Sequence, residues 1–198
     1  MIGSSRLRKS KIQTKTKETQ IAVSVNIDGS GRCSASTSVK FLDHMLTSFA
    51  THSLFDLEVK ATGDLAHHIV EDTALAMGKC ILEALGDRNK IRRFASAYVP
   101  MDEALAFASV DLVKRRYFVL SNFDLRRNAV EDLAKEDASH FFQSLCDSLQ
   151  CTMHLRIDYG SNDHHKIEAL FKALALALRS ASEIDPRRQA VASSKGSM

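Results

Sequence analysis

Two copies of one histidine-rich signature stand out: His67-His68-x-x-Glu71 and His164-His165-x-x-Glu168. Upstream of each lies a further histidine, His44 and His140, followed four residues later by Ser48 and Ser144. The interval from His44 to His67 matches that from His140 to His164 to within one residue. Six of the eight histidines therefore occupy repeat-equivalent positions, and with Glu71 and Glu168 they make a set of imidazole and carboxylate donors. Such donors together suit first-row divalent metals. On a helix, residues i and i+4 share a face while adjacent residues point about 100° apart. His67 and Glu71 can therefore serve one ion while His68 turns toward another, and likewise His164 and Glu168 against His165. Two ions, each drawing ligands from both halves, follow from that geometry. If each takes three histidines and one carboxylate, substrate can bind only when coordination exceeds four. That favours an octahedral ion such as manganese over tetrahedral zinc. His52 and His154 lack repeat partners, and His154, inside a strand pattern, is expected to be structural.

The elements that carry these residues repeat as well. Apolar residues alternate at Leu57, Val59, Ala61 and again at Met153, Leu155, Ile157, as in strands with one buried face. Each run ends near a glycine, Gly63 or Gly160, and each signature then opens a helical period, through Ala74–Leu85 and Leu170–Leu178. Glu18 precedes Val25-Asn26-Ile27 by the interval that separates Glu103 from Val110-Asp111-Leu112. The unit is strand, strand, helix, strand, helix, over residues 17–90 and again over 91–185, with an irregular insertion around 121–137 and a polar tail over 186–198. Amphipathic helices and half-buried sheets must cover each other's apolar faces. The expected fold is α+β, an internally duplicated half-domain with two β-sheets enclosing a helical layer.

Composition narrows the classes. In 198 residues, 44% are hydrophobic and 26% charged, as in globular proteins. No apolar run approaches the ~20 residues of a membrane span and no signal peptide opens the chain, so a cytoplasmic protein without membrane partners is expected. The four cysteines form no Cys-x-x-Cys pair and read as reduced thiols. A net charge of +3 does not argue for nucleic acid. The basic cluster Arg6, Arg8, Lys9, Lys11, Lys15 and Lys17 has no interleaved aromatic and reads as a solvated, frayed arm.

Phe41-Leu-Asp-His-Met-Leu46, His52-Ser-Leu-Phe-Asp56, Gly63-Asp-Leu65 and His67-His-Ile-Val-Glu-Asp72 resemble, in order and spacing, the imidazoleglycerol-phosphate dehydratase family. So do Ile91-Arg-Arg-Phe-Ala-Ser-Ala-Tyr-Val-Pro-Met-Asp-Glu-Ala-Leu105, Asn162-Asp-His-His-Lys-Ile-Glu-Ala-Leu-Phe-Lys-Ala-Leu174 and Ser193-Ser-Lys-Gly196. The resemblance spans residues 14 to 197. It implies dehydration of imidazoleglycerol phosphate to imidazole-acetol phosphate in histidine biosynthesis. It also implies two manganese ions per active site and a homo-oligomer of 24 subunits built from trimers, with metal ligands from more than one subunit. By correspondence, Glu18 is the first candidate for proton transfer, with Asp102 and Glu103 behind it. Arg93, Arg115, Ser193, Ser194 and Lys195 are implied for phosphate, with His52 and Lys172 as helpers. The sequence departs from the family pattern at Leu65-Ala66, Ile69, Arg116 and around Thr47-Ser48. Two other readings compete. A di-iron bundle would favour Glu-x-x-His on four helices, the reverse order. A metal-stabilised nucleic-acid-binding protein would use the basic arm and bind DNA salt-sensitively.

Overall fold

Both alternating apolar runs form strands with one buried face. Leu57, Val59 and Ala61 are buried on a strand over Asp56–Gly63, and Met153, Leu155 and Ile157 on one over Thr152–Tyr159. The computed structural model describes residues 8–193. The first half contains β1 (Lys9–Lys15), β2 (Thr19–Asn26), β3 (Cys33–Ser36), α1 (Lys40–Ser53), β4 (Asp56–Gly63) and α2 (Ala66–Leu85). The second contains β5 (Phe94–Met101), β6 (Ala104–Asp111), β7 (Tyr117–Ser121), β8 (Ala129–Val130), β9 (Leu133–Ala134), α3 (Lys135–Leu149), β10 (Thr152–Tyr159) and α4 (Asp163–Ser182).

The main sheets have the orders β1-β2-β4-β3 and β5-β6-β10-β7. In each, the last strand joins parallel, β3 on β4 and β7 on β10, and the other pairs are antiparallel. The same topology twice over is the duplicated α+β half-domain that the repeats predict. Helices α1 and α2 cover the first sheet and α4 covers β5 and β6 of the second, while α2 lies along α3 and α1 along α4. The helical layer is thus enclosed between the sheets. The inner face of β2 is Ile21, Val23 and Val25, whereas that of β6 is mostly alanine, Ala104, Ala106 and Ala108. Those small residues let α4 approach closely, and α4 is buried on nearly every side. Between the helices, Phe142 and Phe171 meet at 4.7 Å and Phe141 and Phe171 at 5.2 Å between ring centroids. Fully burying one such ring contributes ~1.5–3 kcal/mol.

Two expectations are corrected. The basic stretch is no frayed arm from Arg8 onward, because Lys9–Lys15 is a full strand paired with β2 along its length. Ile12 is its one inward residue, and Lys9, Lys11 and Lys15 face solvent, the charged pattern of a protected edge. A single buried apolar residue gives no legible alternation, and each half consequently has three strands of its main sheet ahead of its first helix. The insertion is also not wholly irregular: β8 and β9 form a small hairpin within it. Asp132, at that hairpin's tip, accepts hydrogen bonds from the backbone N–H groups of Lys40 (2.6 Å) and Phe41 (2.8 Å). The second half therefore caps the helix that carries His44 in the first half.

Close approach of α2 and α3 depends on Gly78. A Cβ there would meet the Leu145 carbonyl oxygen at 2.7 Å and the Leu149 nitrogen at 2.8 Å, both backbone atoms of α3. Gly78→Ala gains ~1 kcal/mol of helix propensity. Overpacking costs ~1–3 kcal/mol, so a net loss is expected, read as a lower thermal unfolding temperature. Unfolding at or above the parent's temperature would show that the helices separate without cost.

Candidate metal centre

Because α1 lies along α4 and α2 along α3, each upstream histidine reaches the signature of the opposite half. His44 of α1 joins His164 and Glu168 of α4; His140 of α3 joins His67 and Glu71 of α2. In each trio, one donor atom from every residue lies within 4.8 Å of the others. In the first, His44 Nε2 and His164 Nε2 stand 3.4 and 3.3 Å from Glu168 Oε2. In the second, His67 Nε2 and His140 Nε2 each stand 3.8 Å from a Glu71 oxygen, and the two rings stack at 5.2 Å. Two imidazoles and a carboxylate converging on one point fit a divalent cation, with positions left over for further donors.

The remaining two predicted ligands are not brought in. His68 and His165, one residue along from His67 and His164, turn away as helical geometry requires. Each is held by an acid on its own half: His68 Nδ1 lies 2.8 Å from Asp64 Oδ1, and His165 Nδ1 lies 2.8 Å from Glu103 Oε2. The Asp64 hydrogen bond raises the His68 pKa, with further help from the charges of Asp64, Glu18 and Asp72. Glu103 also accepts the backbone N–H groups of Ser161 (2.9 Å) and Asn162 (2.7 Å). Its carboxyl is held far below the usual range, by His165 first and then by those N–H groups. Asn162 caps α4 by accepting the His164 N–H at 2.9 Å. Glu18 and Asp102 occupy the tips of equivalent hairpins, β1–β2 and β5–β6. Glu18 accepts no side-chain hydrogen bond among the described residues, while Asp102 lies 3.7 Å from His165 Nε2.

Lys172 lies 2.9 Å from Glu168 Oε1. Burial raises the Glu168 pKa, but the Lys172 hydrogen bond and the charges of Lys172, His44 and His164 outweigh it, leaving a net lowering. His52, in the last turn of α1, is pushed down by burial and by the Lys172 charge.

Residues 37–178 match the imidazoleglycerol-phosphate dehydratase family. A relative of that name from Methanopyrus kandleri is 49% identical over 183 residues, 90% of this chain and 91% of its own. The crystal structure of the Staphylococcus aureus imidazoleglycerol-phosphate dehydratase superposes with a TM-score of 0.80 at 35% identity, covering 87% of this chain and 97% of that one. The Pyrococcus furiosus structure gives 0.81 at 36%, covering 94% and 100%. This chain belongs to the imidazoleglycerol-phosphate dehydratase family. Membership in this metal-dependent family carries a dehydratase role in histidine biosynthesis and makes the chain a hydro-lyase.

The residues implied for phosphate lie elsewhere in the chain. The Arg93 N–H donates to the Ala181 carbonyl near the C-terminal end of α4. His164 is near the other end, ~26 Å away at 1.5 Å per residue. The Arg93 guanidinium forks onto Asp111 at 2.7 and 2.9 Å and donates to the Ala192 carbonyl at 2.7 Å, fastening the start of the tail. Arg115 follows β6 at the same end, where its carbonyl accepts the Thr152 hydroxyl. Ser193 closes the described tail; Ser194 and Lys195 lie outside the described residues. Among the described residues implied for phosphate, His52 and Lys172 lie beside Glu168 of the first trio. Asp137 and the role of Glu103 are not legible in the sequence, because hydrogen bonding to a histidine from another element leaves no periodic trace; Asp64, four residues before His68, is the one signal that local spacing offers.

Lys166, on the helix of the second signature, is buried and lies 3.3 Å from buried Asp163. It also donates to the Asp124 carbonyl at 2.9 Å, and Asp163 accepts the Arg127 N–H at 3.0 Å. This pair pins the insertion beside His164. Lys166→Met leaves a buried carboxylate unpaired and is expected to cost ~3–5 kcal/mol by chemical denaturation. Adding Asp163→Asn should recover part of it. A single variant within ~1 kcal/mol of the parent would show that the pair is not the anchor.

Proposed function

We propose that this protein dehydrates imidazoleglycerol phosphate to imidazole-acetol phosphate and water, using two divalent ions, with manganese the expected metal. The observation that carries the reading is the pair of His-His-Glu trios, each assembled from both halves of a chain in this family. His44, His164 and Glu168 would hold one ion, and His67, Glu71 and His140 the other. His68 and His165 would each complete a trio in a neighbouring subunit, since neither reaches one in its own chain. A homo-oligomer of 24 subunits built from trimers accommodates that exchange. It also brings Arg93, Arg115 and the tail of one chain to the ions of another, which the ~26 Å span along α4 otherwise prevents. When bound, the ions would favour the deprotonated imidazole ring of the substrate, which makes loss of the side-chain hydroxyl feasible.

The chain's own residues do the rest. Glu18 stands at a hairpin tip, where its charge acts on His68 and its carboxylate accepts no hydrogen bond among the described residues, so it can accept the proton removed from carbon. Asp102 stands at the equivalent tip beside His165, while Glu103 is occupied in positioning that histidine. Arg115, and Arg93 on exchanging Asp111 for the substrate, would offer guanidinium forks to phosphate oxygens, with Ser193, Ser194 and Lys195 as further donors. His52 and Lys172 line the approach to Glu168. Residues 17–90, 91–185 and 186–198 act as two half-domains and a substrate-binding tail of one unit. A cytoplasmic location accords with this chemistry, and no helix among the described residues is long and apolar enough to cross a membrane.

The decisive assay is turnover of imidazoleglycerol phosphate with added manganese; no turnover at any metal level would overturn the reading. Glu18→Gln keeps shape but cannot accept a proton, so turnover should fall by ~10²–10⁴-fold with metal content unchanged. Retention of more than about a tenth of the parent rate moves the role to another residue. Ligands must be deprotonated to bind, so a chelator at about pH 5.5 should strip the ions and lower the mass seen by light scattering. An assembly that stays whole with all metal gone contradicts ions shared between subunits.

A further inference from the structure

We infer that the two ion sites are unequal, and that Asp137 is a positioning residue which makes the His67 site the tighter one. The inference rests on the two-ion reading above. His67 lies between two acids on opposite ring nitrogens. Its Nε2 faces Glu71 in the trio, and its Nδ1 lies 2.6 Å from Asp137 Oδ1. Asp137 is in the first turn of α3, three residues before His140, and its side chain is only 8% exposed. A buried carboxylate that accepts a hydrogen bond from Nδ1–H fixes the proton there, leaves the Nε2 lone pair directed at the trio and makes the imidazole a better donor.

The duplication supplies an internal comparison. The repeat equivalent of Asp137, three residues before His44, is Phe41. It packs edge-on against His164 with ring centroids 4.8 Å apart. A phenyl ring thus stands against His164 where a carboxylate stands against His67. The acid that does approach His164 Nδ1 is Glu131, at 3.7 Å and 67% exposed, too far and too wet to fix the ring. The carboxylates differ as well. Glu168 shares an oxygen with the Lys172 ammonium at 2.9 Å, which competes with a cation for that oxygen and repels it. Glu71 has no lysine or arginine ion partner among the described residues; its ion-pair contacts are the two trio histidines. The His44 trio is the more compact and its carboxylate the more buried, but the support on Nδ1 and the absence of a competing ammonium both favour the His67 site.

The test is equilibrium dialysis of the assembled protein against graded Mn²⁺, with free ion read by electron paramagnetic resonance. The parent should show two classes of site per chain. In Asp137→Ala the tight class should weaken by about ten- to a hundredfold, with the weak class unchanged. Asp137→Asn, nearly isosteric, should give a smaller loss in the same class. Lys172→Met should tighten only the weak class. A general loss of packing would disturb both classes, so selectivity separates positioning from structure, and if Asp137→Ala fails to fold the Asn variant decides. Two equal classes in the parent, or Asp137 variants that move both classes or neither, overturn the inference. Fewer than two ions bound per chain overturns the two-ion reading instead.

Discussion

Each candidate ion site needs a histidine from one half of the chain and a His-x-x-x-Glu pair from the other, so everything depends on α1 lying along α4 and α2 along α3. Neither half could form a trio alone. His67 and Glu71 share a face of α2 by i, i+4 spacing, but their third partner arrives on α3. The same exchange brings His44 to α4. Packing secures the exchange where polar contacts would not suffice: the Phe141, Phe142 and Phe171 contacts tie α3 to α4, and Gly78 lets α2 close onto α3. The second half even caps α1, through Asp132. The chemistry of the site is in this sense a by-product of how two copies of one unit bury their helices.

The polar groups around the trios orient some of the histidines through the nitrogen that faces away from the candidate ion. His67, His68 and His165 each have an acid on Nδ1, supplied respectively by α3, the β4–α2 loop and the β5–β6 hairpin. The acids come from non-equivalent places in the two halves, so the duplication is close in backbone and loose in side-chain support. Lys172 beside Glu168 and Phe41 against His164 belong to the same divergence. Two sites that began alike have come to offer different fields to a cation.

The long axis of α4 imposes a third constraint. His164 and Glu168 lie near its N-terminal end, while Arg93, Asp111 and the beginning of the tail gather near its C-terminal end. A helix cannot shorten, so one chain cannot bring its Arg93 and its His44 trio onto a single small substrate. Assembly resolves this if the phosphate end of one chain meets the metal end of another, and the outward-turned His68 and His165 fit that arrangement.

From the sequence alone, the paired signatures, the period of the elements and the equivalence of His44 with His140 were legible, because helical and strand spacing are local properties written into residue order. They sufficed for the duplicated α+β fold and for naming candidate donors, six of which the structure gathers into two trios. The edge strand Lys9–Lys15 was not legible, since Ile12 is its single inward residue, and the small hairpin in the insertion was too short to show a period. Which donors meet was decided only by tertiary structure, through helix pairings between residues far apart in the chain. So were the acids behind His67 and His165, Asp137 and Glu103, and the ~26 Å that separates His164 from Arg93. Hydrogen bonds between elements leave no spacing in the sequence, because they depend on where packing places two chains of atoms and not on how many residues lie between them.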